Sequence, residues 1–285
     1  MKIGIVGLGR MGMPIARNIA RTGHPVSVFD IDPQRISAAA EFGAKAAGNA
    51  AEVGDRCDAV VVSVPGPDAD RDVLYGKDGL VKSRKRGLLI IDTTTITIAD
   101  ARDFARRAAE FDAAILEAPV SGSVHGAEAG TLTVIASGNM GDFERATPVL
   151  KLFADKTFFV GPSGSATALK LINQAIYIAY MSSFAEGLAL GESIGLSTDT
   201  LLDVLGQCAA GNPMIHRKFD EIRGLSNTRF SVANALSFLN GAAQIGKDDA
   251  QQPVIAAVRD RLAALAASGH GADDVIVSRK FYSRR

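Results

Sequence analysis

The chain has 285 residues, 47% apolar and 22% charged, an ordinary globular composition with material for a sizeable core and, by length, for two domains. Lysine plus arginine and aspartate plus glutamate both number 31, so the formal net charge is zero and nothing points to nucleic acid or an anionic membrane as partner; the basic end SRKFYSRR reads as a short solvated tail. Cys57 and Cys208 lie far apart without CxxC spacing, which predicts reduced, buried thiols in a cytoplasmic protein.

The opening MKIGIVGLGRMG is broken by glycines and Arg10 and does not read as a signal peptide. Short β-rich runs follow one another at KIGIV (2–6), PVSVFD (25–30), DAVVVSV (58–64), GLLIID (87–92), AAILEA (113–118), TLTVIAS (131–137) and KTFFV (156–160). Between most of them lie helix-like segments such as RMGMPIARNIARTG and TIADARDFARRAAEF. This alternation predicts a parallel sheet covered on both faces.

From Gly164 onward the pattern is helical throughout: a long, nearly uncharged rod, then TDTLLDVLGQCAA, MIHRKFDEIRG, VANALSFLNGAAQI and QQPVIAAVRDRLAALAASG. The rod's uncharged run from Leu171 to Ala185 is shorter than the ~20 residues needed to span a bilayer, and it carries Asn173 and Gln174, so a buried helix is expected. The prediction is an α/β fold. A doubly wound sheet occupies 1–163, an all-helical domain occupies 164–285, and a helix over about 164–190 joins them.

Gly7-Leu8-Gly9-Arg10-Met11-Gly12 is GxGxxG between a predicted strand and a predicted helix. The first glycine permits the tight turn, the second lets backbone approach a pyrophosphate, and the third allows close packing of helix on strand; the helix start offers free N–H groups and a positive dipole end. The next strand ends at Asp30, near the expected ~20 residues beyond the loop, where a carboxylate accepts from ribose hydroxyls and repels a 2′-phosphate. A Rossmann-like, NAD-binding domain is therefore expected, with NADP disfavoured; Arg35 weakens that preference. The alternative is a structural glycine turn, with Asp30, Asp32 and Pro33 forming an ordinary loop.

Three ordered stretches carry a wider resemblance. GLGRMGMPIARN, EAPVSGSVHGAEAGTLTVIASG (117–138) and GPSGSATALKLINQ (161–174) resemble the cofactor loop, substrate-binding signature and catalytic-lysine segment of the β-hydroxyacid dehydrogenases. The resemblance implies that Ser121 and Gly122 hold a substrate carboxylate, and a glycine-rich turn does expose backbone donors to an anion. It also implies that Val64, Pro65 and Thr95 line the dinucleotide and its nicotinamide end. The competing role for Thr95 is to cap the next helix, and for Ser121 to shape a turn.

Lys170 is assigned by the resemblance to proton transfer. A snorkelling lysine, stem on apolar surface and head in water, is the alternative. Three features oppose it: Ser165 is placed to cap the helix, the surroundings are apolar, and Asn173 and Gln174 follow at i+3 and i+4. Apolar surroundings and a nearby helix start both disfavour the charged form and lower the pKa. The resemblance makes Asn173 the substrate-orienting partner, with Gln174 competing. Of the histidines only His125 follows the substrate loop, and no spacing suggests a metal.

Two departures from the family pattern stand out. Ser123 follows Gly122 where Gly-Gly is usual. Ser237-Phe238-Leu239 occupies the place of a late Lys-Asp-Leu, while Lys247-Asp248-Asp249 has the wrong spacing. The expected activity is hydride transfer between NAD and a 3-hydroxy carboxylic acid, with the active site between the domains and the chain forming a homodimer or homotetramer. Alternatives are an NAD(P)H-dependent reductase of a semialdehyde or imine, and a catalytically silent dinucleotide-binding protein, which the retained lysine disfavours.

Overall fold

The computed structural model describes residues 1–224, 230–245, 252–276 and 279. The chain divides into two compact units, Met1–Lys170 and Leu171–Arg285. Lys247-Asp248-Asp249 and most of the basic tail lie outside the described residues.

In the first unit, strands β1 (Ile3–Val6), β2 (Val26–Phe29), β3 (Lys45–Ala46), β4 (Ala59–Val62), β5 (Leu88–Asp92) and β6 (Ala113–Glu117) form one sheet in the order β3-β2-β1-β4-β5-β6. Every pairing in it is parallel. Helices α1 (Gly12–Arg21), α2 (Pro33–Ala40), α3 (Ala50–Arg56), α4 (Pro67–Tyr75) and α5 (Ile98–Ala109) make the crossovers. The strand order reverses between β1 and β4, where a doubly wound sheet opens its crevice.

Alternation along the strands builds two apolar layers. Ile3, Ile5, Val61 and Ile91 pack on one face with Ile15 and Ile19 of α1. Val6, Val60, Val62 and Ile90 pack on the other with Val53 of α3 and Phe104 of α5. Strands buried on both faces read as continuous apolar runs, which is why β1, β4 and β5 stand out in the sequence.

A second sheet joins β7 (Val120–Ser121), β8 (Leu132–Ala136) and β9 (Ala154–Phe159), with β7 antiparallel and β9 parallel to β8. Helices α6 (Ser123–Ala129) and α7 (Met140–Leu150) complete this part. The two-residue strands β3 and β7 are absent from the sequence prediction, because two residues are too few to show a period.

Helix α8 runs 29 residues, Ser165–Ser193, so the division between the units falls inside it. The second unit continues with α9 (Thr198–Gln207), α10 (Pro213–His216), α11 (Phe219–Arg223), α12 (Val232–Ala243) and α13 (Pro253–Leu265). Its core gathers Ile178, Met181 and Leu188 of α8 around Leu202, Ile215, Leu239 and Leu262.

Two expectations are corrected here. Cys57 is buried, but Cys208 is exposed; both thiols are free. Helix α8 is not buried all round: Ile176 and Leu190 are 64% and 66% exposed, with Leu169 and Ile172 also in solvent. Among the described residues, no helix is long and apolar enough to cross a membrane.

Candidate active site

The glycine loop leaves β1 at the strand-order reversal. Gly7 has φ +90°, and a Cβ there would lie 2.2 Å from the Ser63 carbonyl oxygen. A Cβ on Gly12 would lie 1.9 Å from the Gly7 carbonyl oxygen, so the start of α1 packs against the loop itself. Gly9 differs: a Cβ there meets nothing nearer than Arg35 at 3.9 Å. The space before Gly9 therefore opens outward. The N-cap residue Met11 makes no side-chain cap and the first turn of α1 holds no acid, so the helix start presents its N–H groups and positive dipole end. This is the cradle that a pyrophosphate needs, and the residues fit a dinucleotide. Leu8 is buried and Arg10 exposed beside it.

Asp30 lies just past the end of β2, 6% exposed. One carboxylate oxygen accepts from Leu8 N at 2.5 Å and the other from Asp32 N at 2.8 Å, so Asp30 fixes the glycine loop as well as its own turn. A carboxylate has about four acceptor positions, which leaves capacity for ribose hydroxyls. Arg35 stands 3.6 Å from Asp30 and 3.3 Å from Asp32. Ile31, next in the chain, is 92% exposed.

The loops after β4 and β5 complete this edge. Val64 is half-buried and Pro65 exposed. Val64 N donates to Thr94 Oγ1 at 3.3 Å, and Thr93 Oγ1 to Val62 O at 2.7 Å, so the two loops hold each other. Thr97, not Thr95, caps α5, accepting from Asp100 N at 3.0 Å. That leaves half-buried Thr95 outside the capping role that competed for it.

Beneath these loops sit three buried acids that the sequence reading missed. Asp92 ends β5 and Glu117 ends β6, and the two are register neighbours. Burial pushes the Asp92 carboxyl up to about 6, although Asp70 and Thr94 hydrogen-bond to it and oppose the shift. Asp70, fully buried on α4, is held well above the usual carboxylate range by burial first and then by the Asp92 charge. The two carboxyls interact, but neither Asp70 oxygen has a well-formed hydrogen bond. Asp92 and Glu117 each close an apolar run, which was the available signal; Asp70 lies in the charged stretch PDADRD and gave none.

Ser121 is half-buried on β7, opposite Thr133. Gly122 follows at φ +133° and Ser123 at φ +62°. The usual second glycine would adopt that last angle freely; a serine there is strained by about 1 kcal/mol. His125 is exposed on α6, 3.9 Å from Glu128.

Lys170 is 7% exposed, so its head is not laid in water and the snorkelling alternative fails. Burial alone lowers its pKa from 10.5 to about 8. The expected contribution of the helix start is corrected. The first-turn N–H groups of α8 are not capped by Ser165; Gly164 N donates to Glu117 at 2.5 Å, Ala166 N to Ser137 at 3.0 Å and Thr167 N to Glu117 at 3.4 Å. A carboxylate placed there offsets the positive dipole end, and Lys170 lies beyond the first turn, where that field has faded. Further along α8, Asn173 is exposed, Gln174 half-buried, and Asn173 Nδ2 donates to Gln174 Oε1 at 3.3 Å. Phe238 packs against Phe230 at 5.9 Å, and Phe230 against Tyr177 at 6.0 Å. Among the described residues no cluster could hold a metal ion.

Sheet order, glycine cradle and Asp30 together define a dinucleotide-binding domain of the doubly wound class. Residues 2–161 match the NAD-binding domain of 6-phosphogluconate dehydrogenase, and residues 164–280 match the NAD-binding region of NADP-dependent 3-hydroxyisobutyrate dehydrogenase. The 3-hydroxyisobutyrate dehydrogenase of Pseudomonas aeruginosa is 37% identical over 210 residues, 74% of this chain and 70% of that one. The solved 3-hydroxyisobutyrate dehydrogenase of Salmonella typhimurium superposes with a TM-score of 0.90 at 30% identity, covering 99% of both chains. That of Mycobacterium tuberculosis, solved with L-serine, gives 0.86 at 28% identity, again over 99% of both. The chain belongs to the 3-hydroxyisobutyrate dehydrogenase family of β-hydroxyacid dehydrogenases.

Proposed function

We propose that this chain oxidises a 3-hydroxy carboxylic acid with NAD, reversibly, to the semialdehyde or oxo acid, with Lys170 as the proton-transfer group. The observation that carries the reading is a lysine buried at the start of α8 with its pKa drawn down to about 8. A lysine near neutrality exchanges protons with an alcohol efficiently. In oxidation the neutral Nζ takes the hydroxyl proton; in reduction the ammonium returns it to the developing alkoxide. NAD, when bound, supplies the hydride acceptor, and Gly7 to Gly12, Asp30, Val64, Pro65 and Thr95 would hold it. Ser121 and Gly122 would bind the substrate carboxylate, and Asn173 with Gln174 would orient its hydroxyl. Asp30 supports NAD over NADP, with Arg35 as the counterweight.

The decisive experiment is Lys170→Ala. Turnover should fall by roughly 10²–10⁴, while NADH binding, read by fluorescence, persists. Near-normal turnover would overturn the assignment. The substrate panel should include 3-hydroxyisobutyrate, which names the Pseudomonas relative, L-serine, which accompanies the Mycobacterium structure, and glycerate.

The same buried lysine serves a second reading, in which the working direction is reduction of a semialdehyde or an imine and its ammonium supplies the proton. Rates with NADH and with NAD across the panel separate the two. The exposed apolar residues Leu169, Ile172, Ile176 and Leu190 on α8 support a homodimer or homotetramer; a monomer by light scattering at micromolar concentration contradicts it. Two free thiols suit a reducing, cytoplasmic compartment.

A further inference from the structure

We propose that Glu117 is a positioning residue: by gripping the first turn of α8 it sets the rotation and height of that helix and so aims Lys170. The inference rests on the reading of Lys170 as the proton-transfer group.

Glu117 is 3% exposed at the end of β6. One oxygen accepts from Gly164 N at 2.5 Å, the other from Thr167 Oγ1 at 3.0 Å and Thr167 N at 3.4 Å. Ser137 Oγ takes the intervening Ala166 N at 3.0 Å. The two acceptors are themselves locked, since Glu117 N donates to Ser137 O at 3.1 Å and Ser137 N to Glu117 O at 3.0 Å. The start of α8 is thus bolted to the ends of two strands in two different sheets.

Thr167 precedes Lys170 by three positions, which places both on one side of the helix, about 60° apart. Thr167 is 1% exposed, so the gripped residue and the lysine turn inward together. Ser121, the proposed carboxylate-binding residue, lies just beyond Glu117 on the same chain segment. One buried acid therefore registers the lysine against the substrate-binding turn. A local serine or aspartate would cap a helix without burying an acid; a carboxylate reaching across the fold costs desolvation and needs its donors. The charged groups around it are Asp92 on β5, whose charge interacts with it, and Arg102 on α5, whose Nε donates to Ser163 O at 3.4 Å.

The test titrates Lys170 in the full chain by its Cε NMR signal, assigned with Lys170→Arg, alongside kcat and KM. In the parent protein Lys170, lowered by burial, should titrate at about 8. In Glu117→Gln and in Thr167→Val it should move up towards 10.5 as a loosened helix start lets the ammonium reach water. Loss of the Glu117 charge alone would move it down, so the direction separates position from electrostatics. The kcat should fall roughly ten- to a hundredfold with KM for NAD little changed, and Thr167→Ser should restore both values. If Glu117→Gln does not fold, the Thr167 pair decides. Unchanged titration and kcat in Thr167→Val, or a downward shift in Glu117→Gln, overturns the inference. Should Lys170→Ala keep its turnover, the proton-transfer reading fails, while the titration still reports on positioning.

Discussion

Helices α1 and α8 both start at the ends of sheet strands, and their first turns are treated in opposite ways. At α1 no side chain caps the first turn, no acid stands in it, and Gly9 leaves open space in front. At α8 the corresponding N–H groups are filled by Glu117 and Ser137. Both helix starts carry the same positive dipole end and the same orphan donors. One is left for a phosphate. The other is filled with the protein's own carboxylate, and Lys170, beyond the first turn, is lowered by burial. An identical backbone feature becomes a ligand site or a scaffold according to which side chain reaches it.

The largest test of that contrast lies in the glycine loop. Gly12→Ala sets a methyl 1.9 Å from a backbone oxygen and should destabilise the first unit by on the order of 3 kcal/mol or more. Gly9→Ala has a free 3.9 Å and an ordinary φ, so its unfolding midpoint should stay put or rise by less than about 1 kcal/mol. Its affinity for NADH should nevertheless weaken by at least about tenfold, ~1.4 kcal/mol. Calorimetry and fluorescence titration of the pair check this; equal stability losses would show that the open end of α1 is not open.

A smaller effect concerns the acids. Glu117 receives three donors from the α8 segment, whereas its register neighbour Asp92 depends on Thr94 and on Asp70, an acid itself. Both Asp92 and Asp70 have folded pKa values above their ordinary 3.8, so their contribution to stability is complete below about pH 4. It is lost as pH rises through about 6 for Asp92, and Asp70, raised in the same direction, adds to that loss. Asp70→Asn keeps a donor towards Asp92 without a proton to lose. It should gain on the order of 1–3 kcal/mol over the parent at pH 8, and the gain should vanish near pH 4. A gain independent of pH would argue against the pairing.

The smallest effect belongs to the start of α6. Ser123 holds φ +62° there, and Ser123→Gly should stabilise by about 1 kcal/mol, read as a small rise in Tm. If Tm falls, the Ser123 side chain contributes something that outweighs its strain.

Much of the fold was legible in the residues. β1, β4 and β5 are continuous apolar runs, and the glycine spacing located the start of α1, because period and composition are local properties. The long helix was legible too, though not its surface: apolar side chains all round do not say which ones face solvent in one chain, and Ile176 and Leu190 do. The same limit applied to Cys208, taken as buried and found exposed.

For the site, residue type and spacing to the nearest strand singled out Gly7 to Gly12 and Asp30 as candidates, and the family resemblance pointed to Lys170. Only the tertiary structure decided what surrounds them. It replaced Ser165 with Glu117 and Ser137 as the caps of α8, moved the capping of α5 to Thr97, and set Asp70 beside Asp92. Each of these contacts joins segments or geometries that spacing does not encode, and desolvation, which lowers Lys170 and raises Asp92, exists only once the chain has closed over them.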